Sequence, residues 1–274
     1  MLTTKQLHDI KQLQELCEKN EKIKLKLNWD MLQSRESHQD DYFHYEHDEL
    51  IGYLALYGFG DQYELCGMVH PLFRKKGIFK GMFHQALTSL KARDAHSLLI
   101  NTPGTSSSGK GFAEAIRARY DFTEYEMKWD PRHPMPDSGN VSTREMMEDD
   151  IPYCIKLDID CFGQKRSDAE AMLKQTLTET GQRSMMILAD GHTVGKIRIQ
   201  RMEGESYIYG FAIDPDYQGR GIGKKALSLV VKEESLWTNQ IFLDVAATNS
   251  RALKLYEMSG FQTIYSQDYH QFAL

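Results

Sequence analysis

Gly219, Arg220, Gly221, Ile222, Gly223, Lys224 and Lys225 place three glycines and three basic side chains within seven residues. Glycine puts no Cβ between backbone and ligand, so such a loop can curl against an anion and offer it amide N–H groups. The flanking residues suit that task. Phe211, Ala212 and Ile213 end an apolar run that reads as a strand and stops at Asp214-Pro215. From Ile222, apolar residues recur at Ala226, Leu227, Val230 and Val231, the rhythm of one helix face. The first turn of a helix carries unpaired amides and the positive end of its dipole, and both favour a phosphate. Two better-known phosphate loops are excluded: no Gly-Lys-Ser/Thr follows, and the Gly-x-Gly-x-Gly spacing is not a dinucleotide fingerprint. A plain strand-to-helix turn with solvated basic residues stands beside the phosphate reading.

The wider pattern resembles the GNAT acyltransferase superfamily. Gln218-Gly219-Arg220-Gly221-Ile222-Gly223 is similar to its Gln/Arg-x-x-Gly-x-Gly/Ala signature, and Asp214-Pro-Asp-Tyr217 precedes it in the family's manner. Residues 241–261 resemble the second family block: a strand, Asn249 before a helix, Ala252-Leu253, Tyr256 and a closing Gly260-Phe261. The resemblance implies a mixed α/β fold (α+β), a central β-sheet flanked by helices, with acetyl-CoA as co-substrate. It implies that Gln218 through Lys224 hold the coenzyme pyrophosphate, and that Phe211 to Ile213 bond the pantetheine arm like an added strand. Tyr256 takes the place of the acid that protonates the leaving thiolate. A phenol carries its proton at neutral pH, which suits the role, although an aromatic packed beside Leu253 and Phe261 would read the same way. Asn249 has two readings, helix N-cap and ligand of the coenzyme arm. Asp244 is the leading candidate for the base that takes the amine proton, with Glu203, Glu205 and Tyr209 as competitors and an ordinary strand carboxylate as the plain reading.

The pattern occurs twice. Residues 68–90 align with 212–234 at a constant offset of 144, so His70-Pro71 matches Asp214-Pro215 and Gly77-Ile78 matches Gly221-Ile222. The helix face Met82, Phe83, Ala86 and Leu87 matches Ala226, Leu227, Val230 and Val231. The first copy has Lys75 for Gly219 and Phe79 for Gly223, and aligning Phe122 with Phe261 puts Arg117 opposite Tyr256. It is therefore expected to lack the chemistry, while Arg74, Lys75, Lys76 and Lys80 keep its loop basic. Pro131, Pro134 and Pro136 mark residues 131–140 as a linker. The expected domains are 1–130, non-catalytic, and 141–274, catalytic. Two domains of about 130 residues each can bury a core.

The chain has 33 Lys and Arg against 39 Asp and Glu, a net charge of −6, with no dense basic stripe, which argues against nucleic acid as the main partner. No apolar leader and no membrane-length run is present, so a cytoplasmic protein is expected. Cys17, Cys66, Cys154 and Cys161 lack metal-ligand spacing, the ten histidines are scattered, and no metal is expected. The expected activity is acetyl transfer from acetyl-CoA to an amine of a small molecule or peptide, in a ternary complex. The alternative is a silent coenzyme A-binding sensor or scaffold. The acceptor and the oligomeric state are not legible.

Overall fold

The computed structural model describes residues 1–35, 37, 39–59, 62–93, 95–135, 137–177 and 181–274. The chain divides into two compact units, Met1–Glu124 with Tyr265–Leu274, and Tyr125–Ile264. Each is a mixed sheet covered by helices on both faces, as the resemblance implies.

In the first unit, α1 (Thr4–Glu21) opens with a capping box in which Thr3 and Gln6 satisfy each other's end groups. After α2 (Trp29–Ser34) come β1 (Asp41–Glu46), β2 (Glu49–Phe59), β3 (Gln62–Val69), α3 (Ile78–Lys91), β4 (Ser97–Pro103) and α4 (Ser107–Ala115). Strands β1, β2 and β3 are antiparallel, and β3 pairs parallel with β4. Apolar residues of α1 and α2 pack with one face of β2 and β3, and those of α3 pack with the other. The expected α3 face is buried at Met82, Phe83 and Ala86.

β5 (Arg119–Trp129) leads into the second unit, which continues with β6 (Val141–Glu145), α5 (Ile151–Phe162), α6 (Arg166–Thr176), β7 (Gln182–Ala189), β8 (His192–Met202) and β9 (Glu205–Ile213). Then follow α7 (Ile222–Glu234), β10 (Ile241–Ala246), α8 (Ser250–Glu257) and β11 (Phe261–Phe272). Strands β6 to β9 form an antiparallel series, and β9 pairs parallel with β10. The stripe expected on α7 is buried at all five positions and packs on Ile197, Ile208 and Leu243.

The units are bounded differently from the expected 1–130 and 141–274. Met127 and Trp129 are buried in the core of the second unit, which draws residues 125–130 and the expected linker 131–140 into it; Pro136 lies outside the described residues. The last ten residues go the other way. Gln267 to Phe272 pair antiparallel with Pro103 to Leu98 of β4, and Tyr269 is buried. The cause is backbone accounting: β4 has β3 on one side only, and its remaining N–H and C=O groups need a strand that the chain supplies from its far end. A chain ending at residue 264 is therefore expected to lose stability in the first unit by at least about 3–5 kcal/mol, the cost of one large buried aromatic. Hydrogen exchange resolved by segment checks this, with faster exchange expected in β3 and β4.

Candidate active site

The turn from β9 to α7 builds the site. Asp214 ends the strand and its carboxylate accepts from the Asp216 amide at 3.1 Å, starting a short turn over Pro215–Tyr217. Burial opposes the charge on Asp214, but hydrogen bonds from Lys156 (2.9 Å) and Tyr153 (2.8 Å) outweigh it and hold the carboxyl below its usual range. Those bonds tie α5 to the start of the loop. Gly219 and Gly221 then take φ of +79° and +76°, where an L side chain is strained, and a Cβ on Gly221 would meet open space. The backbone at the first turn of this thirteen-residue helix is thus uncovered by a side chain at Gly221, an arrangement compatible with an anion at the helix N-terminus. Gly223 faces inward instead, toward Leu255, Ile213 and Phe211.

Side chains lock the loop from behind. Gln218 donates through Nε2 to the Ile213 carbonyl at 2.7 Å and accepts through Oε1 from Arg251 at 2.7 Å. Arg220 donates to the Asp216 carbonyl and lies over the Tyr217 ring. Asn249 caps α8, accepting from the Ala252 amide at 3.1 Å, so the capping reading holds.

β9 opens beside this loop. It pairs with β10 only from Ser206↔Ile241 to Ile208↔Leu243, and beyond that the two strands part. On its other side Ala212 pairs with Lys196 and Tyr209 with Arg198, so Gly210 and Phe211 together face Ile197. This is a β-bulge, with Gly210 at φ +53°, and it turns the strand at the opening. Asp244 and Tyr209 are the first residues past the last pair on their strands. Glu203 lies in the β8–β9 turn, and Glu205, at the start of β9, is about 13 Å of strand before Tyr209. Of the four candidate bases, the structure therefore puts Asp244 and Tyr209 at the opening. Phe211 and Ala212 lie along the unpaired edge, whereas the Ile213 carbonyl is already taken by Gln218 and by the Cys161 thiol at 3.5 Å. Tyr256 is buried against Phe261 in the core beneath α7, and burial pushes its phenol up to about 12.

The first unit repeats the frame closely. His70, Arg74 and Gly77 have the backbone angles of Asp214, Gln218 and Gly221, and Lys75 takes φ +62° where Gly219 has +79°. Arg74 donates to the Val69 carbonyl as Gln218 does to that of Ile213, and Cys17 contacts Val69 as Cys161 contacts Ile213. Cys17 and Cys161 also differ by 144, so this contact belongs to the same repeat.

Three differences set the first unit apart. β3 pairs with β2 in unbroken register from Val69 to Gln62, so it has no bulge. Counting from the helix caps Ser106 and Asn249, the counterpart of Tyr256 is the buried Ala113, while Arg117, left-handed at φ +59°, corresponds to Gly260 at +89°. The Arg117 alignment is thus corrected by four residues, and no tyrosine stands at the position by either alignment. Asp244 is replaced by Asn101. The Phe79 ring packs edge-on against Phe112 at 4.6 Å, and a Cβ on Gly67 would collide with it.

Among the described residues no group of three or more metal-ligating side chains occurs, and no helix is long and apolar enough to cross a membrane. All four cysteines are free.

Comparison with known proteins bears on family and fold. The model of the Acetyltransferase (GNAT) family matches residues 145–261. A [ribosomal protein bS18]-alanine N-acetyltransferase of Salmonella typhimurium is 32% identical over 79 residues, covering 28% of this chain and 53% of the relative. A spermine/spermidine N(1)-acetyltransferase of Bacillus subtilis is 36% identical over 61 residues, covering 22% and 40%. The chain thus spans about half or less of the curated relatives it matches. Among solved structures, a GCN5-related N-acetyltransferase from Sphaerobacter thermophilus superposes with a TM-score of 0.78 at 17% identity, over 97% of this chain and 91% of the other. A tandem GNAT protein from the clavulanic acid biosynthesis pathway gives 0.67 at 15% identity, over 85% and 82%. The fold is thus that of tandem GNAT proteins, and residues 145–261 form a domain of the GNAT acetyltransferase family.

Proposed function

We propose that the second unit transfers an acetyl group from acetyl-CoA to an amine, and that the first unit does not. The observation that carries this is the bulged, unzipped β9 running directly into an open glycine loop at the start of α7, a combination missing from the first unit. In this reading the amides of 219–223 hold the pyrophosphate, with Gln218 and Arg220 keeping the loop in shape and Lys224 adding charge. The free edge of β9 at Phe211 and Ala212 aligns the arm, and a bulge amide polarises the thioester carbonyl. Holding amine and thioester together supplies much of the acceleration. Asp244, directly or through water, takes the amine proton, and Tyr256 donates to the departing thiolate. The products are the amide and the free thiol.

The acceptor side favours a cation. Burial raises the Tyr207 phenol, and the charges of Glu126, Glu205 and Asp244 raise it further. Tyr207 stacks on Tyr209 and Phe242 there. An alkylammonium group or polyamine suits carboxylates and aromatic faces together. Residues 178–180, within the 151–182 region of the second unit, lie outside the described residues.

The silent-binder alternative has one observation on its side, the burial of Tyr256 in the apolar core. Thiol release separates the two readings. Acetyl-CoA-dependent release is expected with a member of a panel of polyamines, aminoglycosides, amino acids and N-terminal peptides. Coenzyme binding without release across the panel would favour the binder.

A further inference from the structure

One face of the sheet in the second unit carries a row of rings. On β9 and β10, Ile208, Ile241 and Leu243 pack into the core, so Tyr207, Tyr209, Phe242 and Asp244 project from the opposite face. Tyr207 pairs with Phe242 across the two strands, and their rings stack at 5.1 Å. The Tyr209 ring stacks on Tyr207 at 6.0 Å. Asp244 stands two residues beyond Phe242 on β10, about 7 Å along the strand.

β5 adds a cation to this face. Met127 and Trp129 are core residues, which turns Glu126 and Lys128 to the side of the rings. The Lys128 ammonium lies 5.5 Å from the centre of the Phe242 ring and donates to Gln240 Oε1 at 2.5 Å. An aromatic face attracts an ammonium group through its quadrupole. The chain itself thus supplies the cation that the Phe242 end of the row would otherwise draw from a ligand. Glu126 is buried on the same strand face, and its charge acts on Tyr207.

We propose that Lys128 sets the charge of the acceptor. It holds the cation position on Phe242, so the second unit takes an acceptor with one ammonium group, presented at Asp244, and discriminates against diamines and polyamines. The inference rests on the acetyl-transfer reading with Asp244 at the opening, and it narrows that acceptor to a monoamine. A second ammonium four carbons from the reacting nitrogen would reach back along the strand about as far as Phe242, beside Lys128. Like charges that close in a partly solvated site lower affinity by about tenfold. Without Lys128, the rings and Glu126 are left to the ammonium of the ligand.

Thiol release with butylamine and with putrescine, its diamine counterpart, tests this on the full chain in wild type, Lys128→Gln and Lys128→Arg. Wild type is expected to show the lower kcat/KM with the diamine, although the diamine offers two reactive ends. Lys128→Gln is expected to raise the diamine-to-monoamine ratio about tenfold, mostly through KM, whereas Lys128→Arg keeps the charge and the wild-type ratio. The gain should shrink in about 1 M salt, where repulsion between the charges is screened. A lysine with a structural role alone would move both acceptors together and leave the ratio as it was. A wild-type preference for the diamine, or one ratio shared by wild type and Lys128→Gln, would overturn the assignment. Spermidine titrated calorimetrically with coenzyme A present separates this from failure of acetyl transfer itself. Lys128→Gln is expected to bind spermidine about tenfold tighter than wild type whether or not thiol is released. Equal affinities, or heat of binding from neither protein, would remove Lys128 from this role.

Discussion

Tyr256→Phe is expected to lower kcat by about 10²–10⁴-fold, the usual contribution of a general acid. The change removes one hydroxyl and keeps the ring, so the packing of Tyr256 against Phe261 survives. Coenzyme affinity should barely move, because the proton is needed only as the thiolate leaves. The burial that pushes this phenol up to about 12 fixes the sign of the pH dependence. An acid works in its protonated form, so activity is retained through neutral pH and lost only as pH rises through that value. Between pH 7 and 10 the wild-type rate should therefore not fall, and it should rise where the acceptor amine is losing its proton. Steady-state kinetics of both proteins across that range measure this. Wild-type kcat in the Phe variant would make Tyr256 a packing residue, with water as the proton source.

The second large effect lies in the scaffold under the loop. Lys196 on β8 is buried and forms an ion pair with Asp158 of α5 at 2.6 Å, with both side chains nearly inaccessible. Lys196→Met removes one partner and leaves a carboxylate buried without its cation, at an expected cost of about 3–5 kcal/mol. Replacing both, as Lys196→Met with Asp158→Leu, should recover most of that loss, since apolar packing commonly equals a buried pair. Denaturant unfolding of the single and double variants checks the cycle. Equal stabilities of all three proteins would show that the pair is solvated. Because Lys196 pairs with Ala212 beside the bulge, the single variant should also weaken coenzyme binding.

The loop and the helix behind it were legible because both signals are local. Gly219 and Gly221 are required by positive φ, and the α7 stripe follows from the helical repeat. The duplication was legible for the same reason, since Pro71, Gly77 and Ile78 repeat Pro215, Gly221 and Ile222 with the helix face in register. The bulge left only a faint mark, the lone Gly210 inside a strand pattern, which is a recognised bulge signal. The placement of β11 left none, because pairing between residues 98–103 and 267–272 depends on contacts far apart in sequence. Arg117 was set opposite Tyr256 because Phe122 and Phe261 look alike, whereas the helix caps set the true register. Burial of the Lys196–Asp158 pair was equally hidden, since charge reads as surface until the sheet and helix are brought together.

Calorimetric titration of acetyl-CoA into the wild-type chain and into Gly221→Asp tests the central assignment most directly. Gly221 has φ +76° and open space above it, so an aspartate there is strained and sets a negative charge where the pyrophosphate is proposed to sit. Loss of one or two charge-assisted hydrogen bonds corresponds to a weakening of about 10–100-fold or more, with the melting temperature of the second unit little changed. That result is expected. Affinity equal to wild type in a folded Gly221→Asp protein would contradict the account and place the coenzyme elsewhere.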